Sequence, residues 1–119
     1  MGLIRCLLVD DEPLALEVLK KFIASTPGLA LAGAYTKPLD AFSHLQREPV
    51  DILFIDIQMP GLTGLELTKT LKNPPQIVFT TAYREYAVEG FELNVLDYLV
   101  KPIARERFLK TIDRYNTLA

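Results

Sequence analysis

Val50-Asp51-Ile52-Leu53-Phe54-Ile55, closed by Asp56, is the stretch whose reading decides the fold. It lies between Pro49 and a loop containing Met59-Pro60-Gly61. Apart from Asp51, its side chains are apolar without alternation. A strand with one wet face alternates. A continuous apolar run is the mark of a parallel strand covered on both faces. Such a strand needs parallel neighbours and crossover helices, so the rest of the chain should alternate between the two.

It does. Upstream, Ile4-Arg5-Cys6-Leu7-Leu8-Val9 reads as a strand, and Pro13 suits the first turn of a helix. Leu14, Val18, Leu19, Phe22 and Ile23 give that helix an apolar face, and Thr26-Pro27-Gly28 ends it. Residues 29–35 form a second strand, and Pro38 opens a second helix with Leu39, Phe42 and Leu45 on one side. Downstream, residues 65–71 read as a third helix, broken by Asn73-Pro74-Pro75. Residues 76–80 form a fourth strand, 83–91 a short fourth helix and 95–100 a fifth strand. The last helix carries Phe108, Ile112 and Tyr115 on one face. Alternating strands and helices imply βαβ units around a parallel sheet, with right-handed crossovers placing helices on both sides. No repeat, low-complexity segment or internal linker interrupts the pattern.

Composition limits the function. The chain has 119 residues, half of them apolar, which is one domain with enough material for a core. Thirteen basic residues against fifteen acidic ones leave no nucleic-acid surface or polybasic membrane anchor. No apolar run is long enough to span a bilayer, and Asp10, Asp11 and Glu12 interrupt the first one too early for a signal peptide. Cys6 is the single cysteine, so no intramolecular disulfide forms, and a reducing, cytoplasmic setting is expected. His44, the single histidine, is expected on the exposed side of the second helix.

In sheets of this kind ligands gather beyond the carboxyl ends of the strands, where strand order reverses. The residues there are Asp10 and Asp11 after the first strand, Asp56 after the third, Thr81 after the fourth and Lys101 after the fifth. Each alone has a bland reading. Asp10-Asp11 could begin a helix, Asp56 could belong to a turn, Thr81 could cap the fourth helix, and Lys101 could be surface. None of these explains four such features at the ends of four strands. Three crowded carboxylates repel each other unless a cation shares the site. Mg²⁺ takes one or two carboxylates, keeps waters and ligates a phosphate; Mn²⁺ is a second candidate. A carboxylate can attack phosphorus to form an acyl phosphate, with the phosphoryl charge met by metal, the Lys101 ammonium and the Thr81 hydroxyl.

The pattern resembles the receiver domain of two-component response regulators across nearly the whole chain. The resemblance is carried by Val9-Asp10-Asp11-Glu12, by Asp56-Ile57-Gln58-Met59-Pro60-Gly61 with Gly64, by Thr80-Thr81-Ala82 and by Tyr98-Leu99-Val100-Lys101-Pro102. Asp-Glu-Pro-Leu-Ala-Leu at 11–16, with 79–83 and 91–98, is similar to the subgroup bearing a LytTR DNA-binding output domain. The resemblance implies a flavodoxin-like (βα)5 three-layer sandwich with a parallel sheet in the order 2-1-3-4-5. It implies that residues 1–119 are a receiver and that any DNA-binding domain lies outside them. It makes Asp56 the phosphoacceptor and Asp11 a direct metal ligand, with Asp10 acting through water and the Gln58 backbone carbonyl completing the set. Thr81 and Tyr98 become the switch pair, Lys101 the partner of the phosphorylated carboxylate, and Lys101–Pro102 a cis peptide.

The implied partner is a sensor histidine kinase, and the implied chemistry is self-phosphorylation with slow autodephosphorylation rather than enzymatic turnover. Arg84, Glu85, Glu89, Glu92 and Asp97 face Arg105, Arg107, Lys110 and Arg114 in the sequence of the fourth helix, fifth strand and last helix. Opposite charges on one surface suit a self-complementary homodimer. Two rivals remain. A haloacid dehalogenase-type phosphatase normally carries a second aspartate two residues after its nucleophile, where this chain has Gln58. A phosphorylation-independent interaction module has no need of the intact acid cluster and lysine.

Overall fold

A computed structural model describes residues 2–57, 69, 71–84 and 95–118. In chain order the elements are β1 (Ile4–Val9), α1 (Pro13–Ala24), β2 (Leu29–Tyr35), α2 (Pro38–Arg47), β3 (Ile52–Asp56), β4 (Gln76–Thr81), β5 (Asp97–Val100) and α3 (Arg105–Asn116). The strands form one sheet in the order β2-β1-β3-β4-β5, parallel throughout. This is the expected flavodoxin-like arrangement. The expected third and fourth helices fall almost wholly outside the described residues, so α3 is the helix read from sequence as the last. Among the described residues no helix is long and apolar enough to cross a membrane.

The strand pleat divides the core in two. Cys6 and Leu8 of β1 and Ile52 and Phe54 of β3 face Leu16, Leu19 and Ile23 of α1 and Phe108 and Ile112 of α3. Phe108 stacks on Phe54 at a centroid distance of 5.6 Å. Leu7, Val9, Leu53 and Ile55 point the other way, toward Ala41 of α2 with Ile77 and Phe79. Every residue of β3 is buried, as its unbroken apolar run requires. β3 begins at Ile52, two residues later than the sequence run suggests. Asp51 is used instead to anchor the neighbouring strand: its carboxylate accepts the Arg5 N–H at 2.8 Å, and its own N–H donates to the Arg5 carbonyl at 2.9 Å.

Three expectations need correction. In α1 the buried stripe is Leu16, Leu19 and Ile23, while Leu14 is 81% exposed and Val18 is also exposed. Leu14 lies two residues before Leu16, about 200° round the helix. For the same reason Leu39, two before the buried Ala41, is 70% exposed in α2. The third correction is His44, which is only 6% exposed. Gly33 of β2 makes room for it, since a Cβ there would lie 3.2 Å from the imidazole and 3.0 Å from the Tyr35 ring. The Tyr35 hydroxyl and His44 Nδ1 share a hydrogen bond of 2.8 Å, and Nε2 is buried without a hydrogen-bond partner.

Burial holds the His44 pKa below its ordinary value, and the positive charges of Arg47 and Arg5 push the same way. The folded state therefore favours neutral imidazole, while the unfolded chain takes up a proton first as pH falls. The stabilisation is complete above about pH 6.5 and is lost as pH drops toward the folded pKa. Urea titrations should show a fall in stability below that pH that is smaller in His44→Asn. Tyr35→Phe, which leaves Nδ1 without its partner, should cost about 1–2 kcal/mol in the same assay.

Candidate functional site

β1 lies between β2 and β3, so the chain winds one way from β1 to β2 and the other way from β1 to β3. At that reversal the carboxyl ends of β1 and β3 diverge and leave a depression. Asp10 follows β1 and Asp56 closes β3, both buried. Asp10 is held by its backbone, whose N–H donates to the Tyr35 carbonyl at 3.0 Å. Its Oδ1 accepts the Glu12 N–H at 2.9 Å. Glu12 occupies the N-cap position of α1 and makes no side-chain cap bond, so Asp10 and Asp11 are not the caps of that helix.

The fifth strand delivers the cation. The Lys101 N–H donates to the Thr81 carbonyl at 2.7 Å, and the Lys101–Pro102 peptide is cis, as expected. The Lys101 ammonium donates to Asp56 Oδ2 at 2.9 Å and lies 2.7 Å from Asp10 Oδ2 and 3.4 Å from Glu12 Oε1. Burial by itself would lower the Lys101 pKa; hydrogen bonds and charge from Asp10 and Asp56 outweigh it and hold the ammonium above its usual value. Burial raises the Asp10 carboxyl, as does the charge of Asp56, and Lys101 opposes them. Each group's charge thus depends on the others.

One ammonium does not balance the local acid. Ligand oxygens of Asp10, Asp11, Glu12 and Asp56 all lie within 4.8 Å of one another. Their donor set is oxygen only, with two of the carboxylates exposed, which fits a hard divalent cation that retains water. Glu12 is absent from the set read from sequence, though a third consecutive acidic residue was the available signal. Gln58 lies outside the described residues. Thr81 is buried at the end of β4, and its Oγ1 accepts the Tyr83 N–H at 3.0 Å, so it does shape the following turn as well as sit at the rim. Tyr98 is half-buried, its ring 5.5 Å from that of Phe79.

The family model described as "Response regulator receiver domain" matches residues 6–113. The chain belongs to that family. This receiver domain is 40% identical over 116 residues to the "Sensory transduction protein LytT" of Bacillus anthracis, covering 95% of this chain and 47% of that one. It is 40% identical over 114 residues to the "Transcriptional regulatory protein BtsR" of Escherichia coli K12, covering 94% and 48%. The solved response regulatory domain of mrkE from Klebsiella pneumoniae superposes with a TM-score of 0.83 at 34% identity, covering 95% of each chain. The chain spans about half the length of the curated relatives it matches. The LytT-type relatives are consistent with the LytTR subgroup that residues 11–16 indicated. Receiver domains bind Mg²⁺ at an acidic pocket, and the carboxylate cluster of this receiver is one that could hold it. They are not enzymes in the ordinary sense.

If the cluster holds Mg²⁺, binding stabilises the folded receiver by mass action. At ten times the dissociation constant the gain is about 1.4 kcal/mol. Thermal melts should show a midpoint that rises with Mg²⁺ in the native receiver and rises far less in Asp11→Asn.

Proposed function

We propose that this receiver is switched by phosphorylation of Asp56. The observation that carries the reading is the Lys101 ammonium, 2.9 Å from Asp56 Oδ2 within the carboxylate cluster. The donor is a phosphohistidine on a sensor histidine kinase. An Asp56 oxygen attacks phosphorus, the P–N bond breaks, and an acyl phosphate forms while the imidazole leaves and takes up a proton. Bound Mg²⁺, held by Asp56, Asp11 and the Gln58 carbonyl with Asp10 acting through water, would neutralise phosphoryl charge. Glu12 stands close enough to join the metal's hydration shell. Lys101 stays paired with the modified carboxylate, and Thr81 turns its hydroxyl from Tyr83 toward the phosphoryl oxygens. Tyr98 then moves into the space Thr81 vacates. Slow autodephosphorylation resets the domain.

The output is a DNA-binding domain elsewhere in a cytoplasmic regulatory protein. The similarity to LytT and BtsR over about half their length supports this. Intact mass after incubation with Mg²⁺ and a small phosphodonor should show one added phosphoryl group. Asp56→Asn, or omission of Mg²⁺, should remove the gain; a gain that survives Asp56→Asn would overturn the assignment.

The activated state pairs with a second copy through the fourth helix, β5 and α3. The charges available for this differ from those expected. Asp97 is 7% exposed and is already paired with Arg107 in the same chain. Arg105 likewise bonds the Ser25 hydroxyl. Lys110 and Arg114 remain as the exposed basic residues of α3, while Glu85, Glu89 and Glu92 lie outside the described residues. Arg114→Glu should weaken phosphorylation-dependent dimerisation in sedimentation experiments, and unchanged association would sink this interface.

A further inference from the structure

β5 is an edge strand. Along a strand, backbone groups point alternately to one side and the other. The Lys101 N–H donates to Thr81 of β4, so Tyr98, three residues earlier, directs its N–H and carbonyl to the open edge. Such groups are ordinarily left to water or to another chain. Here both are bonded by one pair of side chains. The Tyr98 N–H donates to Asp97 Oδ1 at 2.8 Å, and Arg107 Nη2 donates to the Tyr98 carbonyl at 3.1 Å.

The pair is itself tightly made. Arg107 grips Asp97 with two bonds, Nη1 to Oδ2 at 2.9 Å and Nη2 to Oδ1 at 2.8 Å. The buried Thr111 hydroxyl adds a third, to Oδ2 at 2.8 Å. Burial alone would raise the Asp97 carboxyl, yet the bonds from Arg107, Thr111 and the Tyr98 N–H hold it below its usual range. The carboxylate is therefore charged and fully engaged. A bidentate guanidinium pair has a fixed plane, which a lysine does not reproduce.

We infer that Asp97 and Arg107 are positioning residues for the switch: they clamp the main chain of Tyr98 from α3, so that its ring moves while its backbone stays. The inference rests on the proposed switching role of Tyr98. The pleat separates the two functions, because Asp97 and Leu99 face α3 while the Tyr98 ring packs on Phe79 across the sheet. A free edge strand could meet the movement of Thr81 by shifting bodily. A clamped one transmits it to the side chain alone. The same pair occupies the edge groups of residue 98, which keeps another strand from adding there.

The test uses the chain labelled with 3-fluorotyrosine, the Tyr98 resonance being assigned by its loss in Tyr98→Phe. Arg107→Lys keeps the charge but not the fork. Ile23→Val, a core substitution in α1 that touches neither Asp97 nor Arg107, serves as a destabilised control. In the native chain phosphorylation should move the Tyr98 line while its amide stays protected from hydrogen exchange. In Arg107→Lys amide protection should fall at least about tenfold more than in Ile23→Val, and the phosphorylation-dependent shift should shrink by half or more. Native protection and a native shift in Arg107→Lys would overturn the clamp and leave the switch standing. A Tyr98 line that phosphorylation does not move in the native chain would overturn the switch, and the clamp's part in it.

Discussion

The Lys101 ammonium stands among three carboxylates, 2.7 Å from Asp10, 2.9 Å from Asp56 and 3.4 Å from Glu12. Without it, buried Asp10 and Asp56 would repel each other across the gap between β1 and β3. With it, part of that repulsion is offset, and the acidic cluster remains one that could hold a divalent ion. Much of the fold's detail serves this balance. The alternation of strands and helices places β1, β3 and β5 so that their carboxyl ends share one rim. The unbroken apolar run of β3 lets Asp56 sit at the end of a fully buried strand. The contact from Lys101 N–H to Thr81 sets the lysine opposite it.

Among the described residues the rim is tied to both outer strands. The Asp10 backbone hangs from the Tyr35 carbonyl, and the Tyr35 hydroxyl is bonded to buried His44. The end of β2 is thus braced from α2 on one side of the sheet. On the far edge β5 is braced from α3 through Asp97 and Arg107. Both braces are polar and each has one buried member, His44 and Asp97, so loss of Tyr35 or Arg107 strands a buried polar group. They fix the two outer strands.

Local pattern made most of the fold legible. β1 was legible from its branched and apolar residues, β2 as the stretch between Gly28 and the Pro38 helix start, and β3 from a run with no polar face. Proline marked the helix starts at Pro13 and Pro38. The rim residues were legible for a related reason: chemistry at the end of a strand is a local feature, and Asp10, Asp56, Thr81 and Lys101 each follow an apolar run. What misled was helical spacing at the ends of helices. Leu14 and Leu39 were read into the apolar face yet sit about 200° from the buried Leu16 and Ala41, two residues away in each helix. His44 was misplaced because its burial depends on a missing Cβ at Gly33, in another element.

The amino-acid sequence by itself determined the succession of strands and helices, the parallel sheet, and which acidic, hydroxyl and amine groups stand at the strand ends. Those follow from hydrophobic periodicity and turn chemistry, which act over a few neighbouring residues. Only the tertiary structure decided the pairings: Glu12 joining the Lys101 cluster, His44 buried against Tyr35, and Asp97 taken by Arg107 rather than left for a partner. A pairing depends on distance and burial between residues remote along the chain. No local pattern contains that distance until the sheet and its two helical layers have closed around it.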